Sequence, residues 1–209
     1  MSTPGQLIDG FSRFRERHFA KDDALFRELV EQGQTPKTLV VACCDSRVDP
    51  ALILDCAPGD LFVIRNVANL VPPAENQGQY HGTSAALEFG VCNLGVRHII
   101  VLGHAQCGGI HALLEGGVAK DDSFIAGWMG IADAARERVE QELAGDSNKA
   151  RQRACEQQAI LVSLDNLMTF SWIRERVEQG ALALHGWYFD IERGELLGYN
   201  AAVRRFEVL

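Results

Sequence analysis

Two apolar runs of this chain lead directly into groups of reactive side chains, and this pattern constrains the fold more than any other. The run from Thr38 to Cys43 continues into Cys44-Asp45-Ser46-Arg47. The run from His98 to Leu102 is followed by His104 and Cys107 on a glycine-rich loop. In open α/β sheets, ligands are held at the carboxyl ends of the strands. We therefore expect two buried strands whose carboxyl ends share one site.

Further strand and helix patterns alternate along the chain. Leu61 to Ile64 is predicted to be another buried strand, Leu182 to Asp190 a fourth strand, and Leu196 to Asn200 a hairpin strand at the sheet edge. Helical spacing covers Gln6–Gln32, Ala51–Asp55, Thr83–Leu94, Ile110–Glu115, Ile125–Leu143 and Ala150–Gln179. The alternation predicts an α/β fold with a mostly parallel central sheet of four strands plus an edge strand, flanked by helices.

Length and composition indicate the class of protein. The chain has 209 residues, 47% of them hydrophobic and 23% charged, which predicts a single globular domain over 1–209. Within it, residues 1–33 are expected to form an N-terminal helical arm. No apolar run approaches the roughly 20 residues needed to span a bilayer, and the first residues lack a secretory signal, so a cytoplasmic location is expected. The net charge of −8 and the absence of a basic patch argue against a nucleic-acid partner.

The reactive side chains predict a metal site. Six cysteines in a cytosolic chain are thiols or metal ligands rather than a disulfide framework. Cys43, His104 and Cys107 are suitable ligands for one Zn²⁺ with an open fourth position. Asp45 would then accept the proton of a bound hydroxide, and Arg47 would hold that carboxylate with two hydrogen bonds. The alternative is a strand cysteine, a core histidine and an ordinary surface ion pair.

Three motifs in order, CxDSR at 43–47, RNVAN at 65–69 and HxxCGG at 104–109, resemble those of the β-class carbonic anhydrases, and most closely the plant-type subgroup. The similarity runs from about Gly33 to the last strand. The resemblance implies that Cys43, His104 and Cys107 bind one Zn²⁺ per subunit and that Asp45 and Arg47 form a catalytic dyad. It also implies reversible hydration of CO₂ to bicarbonate and a proton.

The resemblance also implies a substrate pocket and an oligomer. The pocket residues would be Gln34, Phe62, Val67, Tyr80, Phe89 and Gly108. Three of these, the two phenylalanines and the valine, would otherwise be ordinary core residues. Members of the family are dimers in which some pocket groups cross the interface. We therefore expect a homodimer or a higher homo-oligomer, with the N-terminal helices packing on a partner subunit.

The chain departs from family patterns at several positions. Some bacterial members carry a Trp, an Arg and a Tyr that form an inhibitory bicarbonate site and let the aspartate displace zinc-bound water. Here the corresponding residues are Val40, Arg65 and Phe189, so no such switch is expected. Phe89 replaces a tyrosine of plant-type members, which leaves the proton shuttle unassigned.

Two other functions fit the same motifs. Relatives on this scaffold hydrolyse carbonyl sulfide or carbon disulfide with the same ligands. Alternatively, Asp45 closes the Cys₂His site, which would then be purely structural in an interaction protein. An open site would bind azide or cyanide in place of water, and a closed one would not.

Overall fold

The computed structural model describes residues 3–20, 24–75, 81–116 and 123–209. The chain divides into two compact units, Met1–Thr35 and Pro36–Leu209. The first unit contains helix α1 (Pro4–Arg15), a π-helical turn (Glu16–Ala20) and helix α2 (Ala24–Gln32). Helix α1 begins there because Thr3 and Gln6 form a capping box, each side chain bonded to the backbone N–H of the other.

The second unit is built on a six-stranded sheet in the order β2-β1-β3-β4-β5-β6. The strands are β1 (Thr38–Cys43), β2 (Leu61–Asn66), β3 (His98–His104), β4 (Ala183–Asp190), β5 (Glu195–Asn200) and β6 (Arg205–Val208). The helices are α3 (Pro50–Ile53), α4 (Gly82–Glu88), α5 (Gly108–Leu114), α6 (Phe124–Met129), α7 (Asp133–Glu142), α8 (Asn148–Leu167) and α9 (Ser171–Glu178). Strands β1 to β4 are parallel to one another, whereas β5 pairs antiparallel with both β4 and β6. The predicted α/β class is confirmed.

Two strand predictions need correction. The run at Leu61 was expected to be buried, but β2 lies at the edge of the sheet, where only Ile64 is buried and Val63 is 39% exposed. Conversely, β5 is not an edge strand, because β6 pairs with it. The sheet therefore has one strand more than predicted. Strand β6 spans four residues, Arg205 to Val208, and two of them are charged, so it carries little hydrophobic signal.

The helical predictions differ from the structure mainly where one long predicted helix is divided into two shorter helices. The predicted stretch from Ile125 is two helices, α6 and α7, joined by a 3₁₀ turn at Gly130–Ala132. The stretch from Ala150 breaks between α8 and α9, where Phe170 turns inward and is only 6% exposed. Helix α5 begins at Gly108, two residues before the predicted start. Within the described ranges, no helix has the length and apolar character that crossing a bilayer requires.

Strands β1 and β3 are buried on both faces. On one face, Leu39 and Val101 belong to the cluster that packs against α8 and α9. On the other face, Val40 and Leu102 belong to a separate buried cluster. A parallel strand covered on both sides reads as a continuous apolar run, which is what the sequence shows. Because β1 and β3 are parallel neighbours, Ala42 pairs with Leu102 and the residues that follow both strands emerge at the same end of the sheet.

Gly103 of β3 packs closely against Ile160 of helix α8, and this contact predicts a stability effect of substitution at Gly103. A Cβ atom there would lie 2.7 Å and 2.8 Å from the Cδ1 and Cγ1 atoms of Ile160. Gly103→Ala should therefore lower the free energy of unfolding by about 1–3 kcal/mol, measured by chemical denaturation. As a control, a Cβ at Gly127 would meet no described atom within 4 Å, so Gly127→Ala should stabilise helix α6 by up to about 1 kcal/mol. Equal stability of the Gly103 variant and the wild type would contradict the packing argument.

Candidate metal centre

The three predicted ligands meet at the carboxyl end of the sheet. Cys43 ends β1, His104 ends β3, and Cys107 is the N-cap residue of α5. Their ligand atoms all lie within 4.8 Å of one another. The three side chains are buried, at 5%, 1% and 2% exposure respectively. One ion can therefore contact all three residues, which parallel neighbouring strands bring together from positions 61 residues apart.

The orientation of His104 leaves one ring nitrogen available for a metal. Its Nδ1 lies 2.9 Å from the carbonyl oxygen of Ala105, to which Nδ1–H donates. That hydrogen bond places the lone pair on Nε2, which is buried and has no hydrogen-bond partner among the described residues. Buried polar atoms are nearly always paired, so an orphaned Nε2 beside two thiols points to a missing ligand. Two thiolates and one imidazole are the donor set of Zn²⁺, so the residues fit this ion.

The thiols of Cys43 and Cys107 shift each other's pKa in opposite directions. The hydrogen bond from Cys107 lowers the pKa of Cys43, although burial opposes this. The same bond, together with burial, raises the pKa of Cys107 well above its usual range. Burial disfavours a charge on His104, but the neighbouring Cys43 outweighs it and the pKa of the imidazole is raised. Without a metal, the site therefore favours a thiolate at Cys43 and a neutral thiol at Cys107.

Asp45 and Arg47 form a two-point ion pair beside the ligands. Arg47 Nε donates to Asp45 Oδ1 at 2.9 Å, and Arg47 Nη2 donates to Asp45 Oδ2 at 2.7 Å. The backbone N–H of Arg47 adds a third bond to Oδ1 at 2.9 Å. These bonds hold the pKa of Asp45 far below its usual range. The backbone N–H of Asp45 in turn lies 3.4 Å from Cys43 Sγ, which it can donate to. The dyad is thus tied to the first ligand.

Arg65 is hydrogen-bonded to the segment that carries the first predicted ligand. Its Nε donates to the carbonyl oxygen of Cys43 at 2.9 Å, and its Nη2 donates to that of Asp45 at 2.7 Å. Its Nη1 contacts Asp49 Oδ2 at 3.1 Å. Arg65 therefore fixes the backbone of the CxDSR segment. Val40 is fully buried in the sheet.

Two residues that sequence reasoning missed support the third ligand. Glu156 is 3% exposed, and its Oε1 accepts the backbone N–H of Cys107 at 3.0 Å. Its Oε2 accepts the hydroxyl of Tyr188 at 2.8 Å. Burial raises the pKa of Glu156, although these bonds oppose the effect. A signal was available, because Glu156 occupies the buried face of α8 at helical spacing from Ile160 and Ser163.

The structure places some of the predicted pocket residues near the centre. Val67 follows Asn66, which pairs with Cys43, and a Cβ at Gly109 would lie 3.0 Å from Val67 Cγ1. Trp128, which the sequence did not single out, donates from Nε1 to the carbonyl oxygen of Val67 at 2.8 Å. Gly108 opens α5 directly after the last ligand.

Two other predicted pocket residues, Phe62 and Phe89, are not brought to the metal ligands within one chain. Phe62 and Phe89 contact each other, with ring centroids 5.9 Å apart. Phe62 pairs with Leu39, which is four residues before Cys43 and therefore roughly 13 Å away along the strand. Gln34 belongs to the N-terminal unit, and Tyr80 lies outside the described residues.

Comparisons with known proteins agree on one family. The family model described as "Carbonic anhydrase" matches residues 38–196. A carbonic anhydrase from Pseudomonas aeruginosa is 40% identical over 200 residues, covering 96% of this chain and 89% of the relative. The solved structure of the β-carbonic anhydrase CcaA has a TM-score of 0.92 at 35% identity and covers 98% and 91% of the two chains. One of the tetrameric β-carbonic anhydrases of Sordaria macrospora has a TM-score of 0.75 at 30% identity, covering 94% and 93%.

Proposed function

The chain belongs to the β-carbonic anhydrase family and is a carbonate dehydratase, and from this premise we propose that its chemistry depends on one Zn²⁺ per subunit held by Cys43, His104 and Cys107. The observation that carries the proposal is the convergence of these three buried donors with an unpaired His104 Nε2. When bound, the ion would acidify a water molecule and supply hydroxide as the nucleophile that attacks CO₂.

The remaining chemistry falls to residues of this chain. Asp45 is ionised across the neutral pH range, because Arg47 lowers its pKa, so it acts as a hydrogen-bond acceptor. It would accept a hydrogen bond from the attacking hydroxide and thereby orient the oxygen lone pair toward the carbon. Arg47 would hold the carboxylate still through its two parallel bonds. The Gly108 amide, at the start of α5, would donate to the substrate.

An open fourth position is part of the proposal. Both carboxylate oxygens of Asp45 are bonded to Arg47, which supports a carboxylate held aside rather than one that closes the metal site. Arg65 is engaged with backbone carbonyls of the CxDSR segment, which supports the expectation that the bicarbonate switch is absent.

An apolar pocket would receive the nonpolar substrate. Val67 lies against the start of α5 and supplies one wall. The strand register separates Phe62 from Cys43, so the Phe62–Phe89 pair would serve the site of a partner subunit, together with Gln34 and Tyr80. CO₂ has no charge or dipole to anchor it, so an apolar wall beside a polarised nucleophile suits it.

A homodimer or a larger homo-oligomer is the proposed assembly. Leu7, Ile8 and Phe11 of α1 are 64%, 66% and 61% exposed, and no described residue of α1 or α2 is buried. Apolar helix faces of this kind indicate a protein partner. The similar Sordaria macrospora enzymes are tetrameric. We propose that the N-terminal helices pack on a second copy of the chain.

A cytoplasmic location completes the proposal. All six cysteines are free thiols. Several free thiols in one chain are typical of proteins from reducing compartments.

Stopped-flow CO₂ hydration from pH 6.5 to 9, on protein of known zinc content, tests the proposed mechanism. We expect turnover to rise with pH, because hydroxide is the nucleophile. Asp45 should not contribute to that rise. Its lowered pKa means that it is protonated, and the ion pair with Arg47 lost, only in strong acid. Zinc-loaded protein that is inactive toward CO₂ at every pH would reject the proposal. Carbonyl sulfide hydrolysis and azide binding would then distinguish the two alternatives.

A further inference from the structure

Gln106, between two of the proposed ligands, has an unfavourable backbone conformation. Its φ is +60°, in the left-handed region that residues with a Cβ rarely adopt. It lies in the loop from His104 to Cys107, where the direction of the backbone decides where both ligands point. A residue in this conformation persists only when its surroundings hold it. The contacts of Gln106 therefore identify what keeps the loop in shape.

The side chain of Gln106 is hydrogen-bonded to Glu192, which follows the carboxyl end of strand β4. Its Nε2 donates to Glu192 Oε1 at 2.5 Å, and Lys149 Nζ donates to Glu192 Oε2 at 2.6 Å. Glu192 itself is anchored, because its backbone N–H donates at 3.1 Å to Asp190, whose side chain is 1% exposed and ion-paired with Arg153. The loop is thus connected to a buried, ion-paired residue at the end of the sheet.

The backbone of Gln106 connects the same loop to the dyad. Its carbonyl oxygen accepts a hydrogen bond from Arg47 Nη2 at 3.0 Å. The same Nη2 atom donates to Asp45 Oδ2. A carbonyl that turns away with the loop would leave Arg47 with fewer fixed bonds and would shift the carboxylate that it holds. The position of Asp45 therefore depends on the conformation of a residue whose side chain is bonded to Glu192.

We propose that Glu192 is a positioning residue, which holds Gln106 in its left-handed conformation and thereby sets the geometry of Arg47 and Asp45. The inference rests on the proposed catalytic roles of that dyad. The bond to the Gln106 amide carries the effect. Lys149 is 77% exposed, and ion pairs at such positions contribute little.

Four variants and a control test this assignment. Glu192→Ala and Gln106→Ala should each lower kcat/KM for CO₂ hydration about fivefold, the effect of one lost hydrogen bond. The double variant should match either single variant rather than multiply their effects, because both remove the same interaction. Glu192→Gln keeps an acceptor for Gln106 but loses the ion pair, and should stay within about twofold of wild type. Glu195→Ala, which removes a nearby exposed carboxylate paired with Arg193, should have no effect.

Hydrogen exchange provides a readout that does not depend on activity. In metal-free protein, backbone amides of the peptide covering 104–109 should exchange faster in Glu192→Ala and Gln106→Ala than in wild type. They should exchange at the wild-type rate in Glu192→Gln and Glu195→Ala. Zinc content should be equal in the wild type and in these four single variants.

Three outcomes would overturn the assignment. They are unchanged exchange and turnover in Glu192→Ala, equal losses in Glu192→Gln and Glu192→Ala, and multiplicative losses in the double variant. A wild-type protein without CO₂ turnover would instead reject the proposed function, and the exchange data would still test the contact between Glu192 and Gln106.

Discussion

Cys107→Ala is expected to abolish zinc binding and to lower CO₂ hydration by more than about a thousandfold, because the metal supplies the nucleophile. Cys107 is 2% exposed, and its sulfur completes a three-ligand set whose atoms lie within 4.8 Å. Alanine leaves two donors, Cys43 and His104, and no other described His, Cys, Asp or Glu side chain belongs to this cluster. Zinc per chain, measured by atomic absorption after dialysis, should fall from about one to below ~0.1.

The neighbouring exposed cysteine provides the control for this variant. Cys44→Ala removes a thiol that lies next to Cys43 in sequence but outside the ligand cluster. That variant should keep its zinc and its activity. A Cys107→Ala protein that still binds one zinc per chain would show that the assigned ligand set is wrong. Circular dichroism of the metal-free wild type and the variant separates loss of metal from loss of fold.

Asp45→Asn is expected to keep zinc and to lower kcat/KM by about 10²–10³-fold, the usual cost of removing one preorganised hydrogen bond that acts in the transition state. Asparagine preserves the volume and can still accept the backbone N–H of Arg47. Its amide nitrogen, however, cannot accept a hydrogen bond from the attacking hydroxide or pair with the guanidinium. Arg47 tolerates the loss of its partner, because its side chain is 46% exposed to water.

The measurement is stopped-flow CO₂ hydration alongside zinc analysis, over the same pH range as the wild type. The level of activity should fall at every pH, while its rise with pH remains, since Asp45 is not the group that titrates. Asp55→Asn is the matched control, because Asp55 has a φ of +50°, which asparagine also tolerates, and lies outside the site. Full activity of Asp45→Asn would exclude the proposed role of this carboxylate.

The fold class could be predicted from the sequence because its strongest signals are local. Strands β1 and β3 are buried on both faces, so their apolar runs stand out, and the prediction for β1 had the observed bounds. The edge position of β2 and the existence of β6 were missed for a physical reason. Whether an apolar strand lies inside a sheet or at its edge depends on which strands pair with it. The sequence of the strand does not specify those partners.

Residues that support the site were hidden for a similar reason. The motifs name Asp45 and Arg47, but nothing near Glu192 in sequence connects it to Gln106, which is 86 residues away. Glu156 and Trp128 likewise act on backbone groups of distant loops. Such contacts depend on the direction of a side chain after the sheet has assembled, so spacing along the chain does not reveal them.

By itself, the sequence determined the alternation of strands and helices and the chemical character of the ligands, because hydrophobic burial and donor chemistry belong to each residue and its neighbours. The tertiary structure decided how Cys43, His104 and Cys107 meet, since parallel pairing of β1 with β3 brings their carboxyl ends together and their ligand atoms within 4.8 Å of one another. It also decided which buried atoms are left unpaired. For His104, it showed that Nε2 is the ring nitrogen left without a partner within the described residues, because Nδ1–H donates to the carbonyl oxygen of Ala105.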